Sequence, residues 1–97
     1  MKRSVAIWKY EIPSLAPGRH TVYMPDDAQV LHVGLQGGRP HIWAAVDPTA
    51  PKEPRVFRVY YTGHEVELGN AQHYLGTVQV PLTSGELVLH IFEEYHT

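Results

Sequence analysis

The chain has no cysteine, which excludes disulfides and thiolate metal sites and leaves no reason to invoke an oxidising compartment. It is also poor in positive charge: eight Lys and Arg stand against ten Asp and Glu, for a formal net charge of −2. Only Lys2 and Arg3 adjoin. Proteins that live by neutralising phosphates carry clustered basic residues, so sequence-independent DNA or RNA binding is not expected. Long apolar runs are missing as well. Val5-Ala6-Ile7-Trp8 behind Lys2-Arg3 has the outline of a signal peptide, but Lys9 and Glu11 end it well short of the roughly 7–15 apolar residues such a segment needs. No stretch reaches the roughly 20 apolar residues of a membrane helix. The expected location is therefore the cytoplasm, away from membranes. Disorder needs low hydrophobicity with high net charge, and a 43% apolar, 19% charged chain fits neither condition. Ninety-seven residues suffice for one core, and residues 1–97 read as one domain.

Helical spacing of apolar residues over three turns is also lacking. Short runs of Val, Ile, Leu, Tyr and Trp instead alternate with Pro, Gly, Asp and Asn, the pattern of an all-β fold. Seven strands are predicted, at 4–12, 19–24, 28–36, 39–46, 55–61, 73–80 and 86–93. Pro13 and Pro17-Gly18 end the first, because proline has no ladder donor. Pro25-Asp26-Asp27 has the composition of a type I turn, and Thr83-Ser84-Gly85 closes the last hairpin. The segment from Asp47 to Pro54, with prolines at 48, 51 and 54, is expected to be a loop, as is Thr62–Asn70. This spacing predicts a compact antiparallel β-sandwich or a small barrel.

Gly37-Gly38 fixes a register. A two-residue type I′ turn needs positive φ at both central residues, so Gln36 should face Arg39, Gly34 should face His41 and His32 should face Trp43. Alternation then puts Leu31, Val33, Leu35, Pro40, Ile42, Ala44 and Val46 on the core side. The other side gathers His32, Gln36, Arg39, His41 and Trp43 around Gly34, with the glycine leaving room above the sheet. An indole, two imidazoles, a guanidinium and an amide can stack a planar ligand and bond its polar edge. The same residues suit a protein interface or a solvated face. His64, in the long loop, is a further binding candidate.

Seven histidines raise the question of a metal. There is no H-E-x-x-H and no His-x-His, and His32 with His41 falls short of three convergent ligands, so neither a metal nor a cofactor is expected. No nucleophile elbow, paired His-x-Ser/Thr motifs or Gly-rich phosphate loop is present, so no catalytic residue is assigned and the chain reads as a non-enzyme. Glu93-Glu94 beside Tyr95-His96 reads as a solvated strand end. The last strand is apolar on both faces, with Leu87, Leu89 and Ile91 alternating with Val88, His90 and Phe92. That pattern, with Trp43 and Tyr60 facing away from the core, points to a homo-oligomer, a two-fold dimer being the commonest assembly.

Trp8-Lys9-Tyr10, the block Pro40-His41-Ile42-Trp43-Ala44-Ala45-Val46-Asp47-Pro48, Tyr61-Thr62-Gly63-His64, Tyr74-Leu75-Gly76-Thr77 and Leu89-His90-Ile91-Phe92-Glu93 together resemble a small family of uncharacterised phage and prophage proteins. The likeness runs over nearly the whole chain and departs at His41, where a cysteine or another small residue is the family pattern. It implies a viral accessory protein in a bacterial host cytoplasm and carries no activity with it. Three functions remain open. One is non-enzymatic counter-defence, either by an oligomer that sequesters a small nucleotide signal or by binding a host defence protein. The second is a structural or assembly module of a virion. The third is a small hydrolase or metal-dependent enzyme with an unrecognised motif. A fold of this kind does not choose among them.

Overall fold

Alternating side chains with turn residues between them produce seven strands in the computed structural model, which describes residues 4–67 and 71–95. They are β1 (Ala6–Glu11), β2 (Gly18–Pro25), β3 (Gln29–Gln36), β4 (Arg39–Val46), β5 (Lys52–Tyr61), β6 (Gln72–Leu82) and β7 (Gly85–Glu94). Each matches one of the seven expected strands. Lys2, Arg3, Asn70 and His96, which figured in the sequence reading, lie outside the described residues.

The strands form two sheets, ordered β1-β4-β3 and β2-β5-β7-β6, antiparallel throughout. Two open sheets make a sandwich, which decides against the barrel. The inner faces supply the core. Ile42, Ala44 and Val46 of β4 meet Phe57 and Val59 of β5 and Leu89 and Ile91 of β7, all without exposed surface. Full burial of such a side chain contributes about 1.5–3 kcal/mol. On one side the sandwich is closed where β3 packs on β6, and a Cβ built at Gly76 would lie 3.5 Å from Val33 Cβ.

The Gly37-Gly38 turn forms as expected. Its residues have φ of 60° and 75°, and Gln36 pairs with Arg39, Gly34 with His41 and His32 with Trp43. The regular register ends at a bulge between Val30 and His32. The bulge takes up Leu31, and this corrects the expected core: Leu31 is exposed, as is Leu35 near the hairpin tip, whereas Val30 packs on the core. The proline-rich loop is shorter than expected. Lys52, Glu53 and Pro54 belong to β5 and pair with Pro25, Met24 and Tyr23. The β7 ladder starts only at Val56, so at Pro54 one edge of β5 is free and a missing donor on that side costs nothing.

Candidate functional site

The central strand of the three-stranded sheet turns Arg39, His41 and Trp43 outward. The ladder places Lys9 of β1 and His32 of β3 on either side of Trp43, and Glu11 and Gly34 on either side of His41. The structure thus brings together His32, Gln36, Arg39, His41 and Trp43, and β1 adds Lys9 and Glu11, which sequence reasoning missed. Their alternation along Trp8-Lys9-Tyr10-Glu11 is visible in the sequence, but nothing there says that β1 borders β4.

Both imidazoles lie tilted against the indole, with ring centroids 5.7 Å from Trp43 for His32 and 5.9 Å for His41. Gly34 does not leave open space as expected. The His32 ring folds over it, and a Cβ at position 34 would meet His32 Nε2 at 2.8 Å. The polar groups are already paired. Arg39 Nε donates to Glu11 Oε1 at 2.6 Å, and Lys9 Nζ donates to Gln36 Oε1. Lys9 stands beside Trp43 and Gln36 beside Arg39, so the bond between them runs diagonally across the intervening position, that of His41. His41 is accordingly buried, and its Nδ1 donates to the Arg39 carbonyl at 2.9 Å. It supports the face from beneath, while His32, Gln36, Arg39, Lys9 and Glu11 are exposed around a half-buried Trp43.

His64 is not part of this face. It follows β5 of the other sheet, stacks on Tyr61 at 5.2 Å between ring centroids, and accepts the Tyr61 backbone N–H at 3.4 Å. It lines a separate shallow cleft of about 590 Å³ with Arg58, Tyr60 and Glu65.

A second concavity, of about 660 Å³, opens at one end of the sandwich between Asp26, Asp27, Glu53, Arg55, His73 and Tyr95. Its floor is an ion pair. Arg55 donates through Nε and Nη2 to the Glu93 carboxylate, the latter at 3.0 Å, and through Nη1 to the Ala28 carbonyl at 2.8 Å. The hydrogen bond to Glu93 raises the Arg55 pKa further above its usual range. Glu93 is 3% exposed, which corrects the reading of Glu93-Glu94 as a solvated strand end. The signal was present: Leu87, Leu89, Ile91 and Glu93 share the inner face of β7, so the glutamate needed a buried cation. Glu94, on the outer face, pairs with Arg19 and with Arg58 at 3.3 Å. Those contacts, Arg19 first, hold its carboxyl below the usual carboxylate range. At the cleft mouth, hydrogen bonding and repulsion from Asp26 raise the Glu53 carboxyl above its usual range, with Asp27 contributing less. The cleft is therefore a poor host for phosphate. Among the described residues no three His, Asp or Glu side chains are grouped so as to hold a metal ion, and no helix is long and apolar enough to cross a membrane.

The outer face of the four-stranded sheet is aromatic and self-contained. Phe92 meets the rings of Tyr60 and Tyr74 edge-on, each at 5.4 Å, and Tyr60 Oη donates to Gln72 Oε1 at 2.9 Å. His90 is bonded through both ring nitrogens, to Thr62 Oγ1 at 2.8 Å and Thr77 Oγ1 at 3.0 Å. Much of the second apolar face of β7 is thus covered within the chain.

Fold and surface define a small antiparallel β-sandwich with one aromatic outer face of hydrogen-bonded polar groups and one acidic end cleft. The chain belongs to the family described as a domain of unknown function (DUF7352), which matches residues 3–97. No curated protein and no solved structure matches it.

Proposed function

We propose that the chain is a phage- or prophage-encoded binding protein without catalytic activity, acting as a homodimer in the bacterial host cytoplasm in counter-defence. Its recognition surface is the outer face of the three-stranded sheet around Trp43, and its partner is a host protein. The observation that carries this reading is the make-up of that face: a half-buried indole on the sheet, ringed by polar and charged groups held in hydrogen-bonded pairs. Aromatic residues and arginine are enriched at protein interfaces, whereas small-molecule sites are concave, and the two concavities described above are lined by other residues. The large concavity is lined with carboxylates, which disfavours an anionic signal there. A nucleotide-like ligand remains the second reading, favoured by the indole flanked by His32 with Lys9 and Arg39 at hand. The viral origin rests on the sequence blocks quoted above.

Affinity capture from a bacterial lysate, with the captured species weighed by native mass spectrometry, tests the reading. The expected result is one host protein held by the wild type, lost by Trp43→Ala and kept by His64→Ala. Retention of an ultraviolet-absorbing small molecule would favour the second reading. Identical capture by wild type and Trp43→Ala would overturn both.

A further inference from the structure

We infer that a second copy of this chain adds to the free edge of β1, joining the two three-stranded sheets into one continuous six-stranded sheet. The inference rests on the homodimer proposed above and names its interface. Four strands lie at sheet edges: β1, β3, β2 and β6. Exposed edges invite pairing with other chains, and proteins blunt them with bulges, prolines or cover. β3 and β6 cover one another, and each carries a bulge, between Val30 and His32 and between Tyr74 and Gly76. β6 also contains Pro81, and β2 ends on Pro25. β1 carries no bulge and no proline, only the charges of Lys9 and Glu11 over a short strand, and its pairing with β4 is regular from Ala6 to Glu11.

The direction of the free backbone groups follows from one hydrogen bond. Ile12 N–H donates to the Pro40 carbonyl at 3.0 Å, so residue 12 turns its main chain toward β4. Alternation gives Tyr10, Trp8 and Ala6 the same direction, and leaves Val5, Ile7, Lys9 and Glu11 with N–H and C=O groups pointing outward. The side chains along this edge are apolar for surface positions: Ile7 is 66% exposed, Val5 46% and Trp8 37%.

The occupant is a second copy because the strand is complementary to itself about a two-fold axis. Antiparallel pairing of outward-facing residues allows several central registers. One centred on Ile7 pairs Ile7 with itself and Val5 with Lys9, and leaves the outward groups of Glu11 unused among the described residues. One centred on Lys9 sets two ammonium groups opposite each other, which destabilises a sheet. One centred on Tyr10 sets Ile7 against Pro13, which has no donor. One centred on Trp8 sets Ile7 of each copy against Lys9 of the other and Val5 against Glu11, with every outward donor and acceptor used. Trp8 then faces its own counterpart in a non-hydrogen-bonded pair, where side chains approach most closely and aromatic pairs are most effective. In the resulting sheet the two Trp43 faces lie on one side and form a single extended surface.

The test exploits the lack of native cysteine and the exposure of Ile7. Light scattering at about 100 μM should give a dimer, as expected for a modest interface of micromolar affinity. Ile7→Lys places like charges opposite Lys9 at two symmetric positions and should weaken the dimer about tenfold, whereas Ile7→Glu should hold or tighten it. Ile7→Pro deletes an outward donor without touching the β4 ladder and should give monomer with unchanged circular dichroism. Under mild oxidation Trp8→Cys should cross-link to a covalent dimer, and Lys9→Cys and Tyr10→Cys should not. A dimer indifferent to the charge and proline at position 7, with no cross-link through position 8, would overturn this interface while leaving the homodimer standing. A wild-type monomer would overturn both.

Discussion

Two of the arginine–glutamate pairs in this sandwich, Arg55–Glu93 and Arg39–Glu11, differ more in their surroundings than in their chemistry. Arg55 and Glu93 lie at the end of the interlayer space, with side chains 22% and 4% exposed. Arg39 and Glu11 lie on the outer face of the three-stranded sheet, 62% and 42% exposed. In the first pair both charges have lost much of their hydration, and each depends on the other. In the second, water takes over whenever the pair opens, so the pair orders a surface at little energetic consequence and stays free to exchange partners. The first is thus committed to the fold and the second is available to a ligand. The outer face of the four-stranded sheet adds the same lesson for aromatics. Tyr60 points away from the core, yet it is 7% exposed because Phe92 and Gln72 cover and bond it, so an outward ring is not by itself a docking site.

The contrast is broken most severely by removing one inner charge. Glu93→Ala leaves the Arg55 guanidinium facing the interlayer without its carboxylate and should lower unfolding stability by about 3–5 kcal/mol in urea titration. Arg39→Ala should cost less than about 1 kcal/mol by the same measurement, as exposed pairs do. Equal losses would mean that the two pairs are not distinguished by burial.

Acid unfolding sharpens the comparison further. Arg19 and Arg58 depress the Glu94 carboxyl, so the folded chain holds this charge to lower pH than the unfolded chain. The resulting stabilisation is complete above the usual carboxylate range and is lost as pH falls through the depressed value. Arg19→Gln should therefore make the protein unfold at a higher pH than the wild type. Glu53 has the opposite sign: its hydrogen bond with Asp26 favours the protonated carboxyl and, second, repulsion from Asp26 disfavours the charged one, and the repulsive part is relieved as pH falls through the raised value. Asp26→Asn should relieve it and give a small gain in melting temperature near neutral pH, the smallest effect expected here. No gain would place the Asp26 carboxylate too far into solvent to matter.

Much of this architecture was legible in the residues. Period-two alternation located the seven strands, and Gly37-Gly38 fixed the pairing of β3 with β4, because two consecutive positive φ angles leave few other turns. What escaped was set by contacts between segments distant in sequence. The neighbour of β4 on its other side is β1, and no local signal says so; hence Lys9 and Glu11 were missing from the face they help to form. The bulge at Leu31 shifts the pattern by one residue without a glycine or proline to mark it. Glu93 was readable by its place among Leu87, Leu89 and Ile91, but its cation, Arg55, sits two strands' length away in the chain order and declares itself only when β5 and β7 pair.

The central claim is that the Trp43 face serves recognition rather than folding. Measuring unfolding stability and partner binding on the same Trp43→Ala preparation tests it directly. Half-burial against His32 and His41 should limit the stability loss to about 1–2 kcal/mol. Binding should fall by about 2 kcal/mol or more, the size of an aromatic hot spot. A variant that unfolds outright would make Trp43 a core residue, and one that folds and binds as the wild type would place recognition elsewhere; either result would contradict the claim.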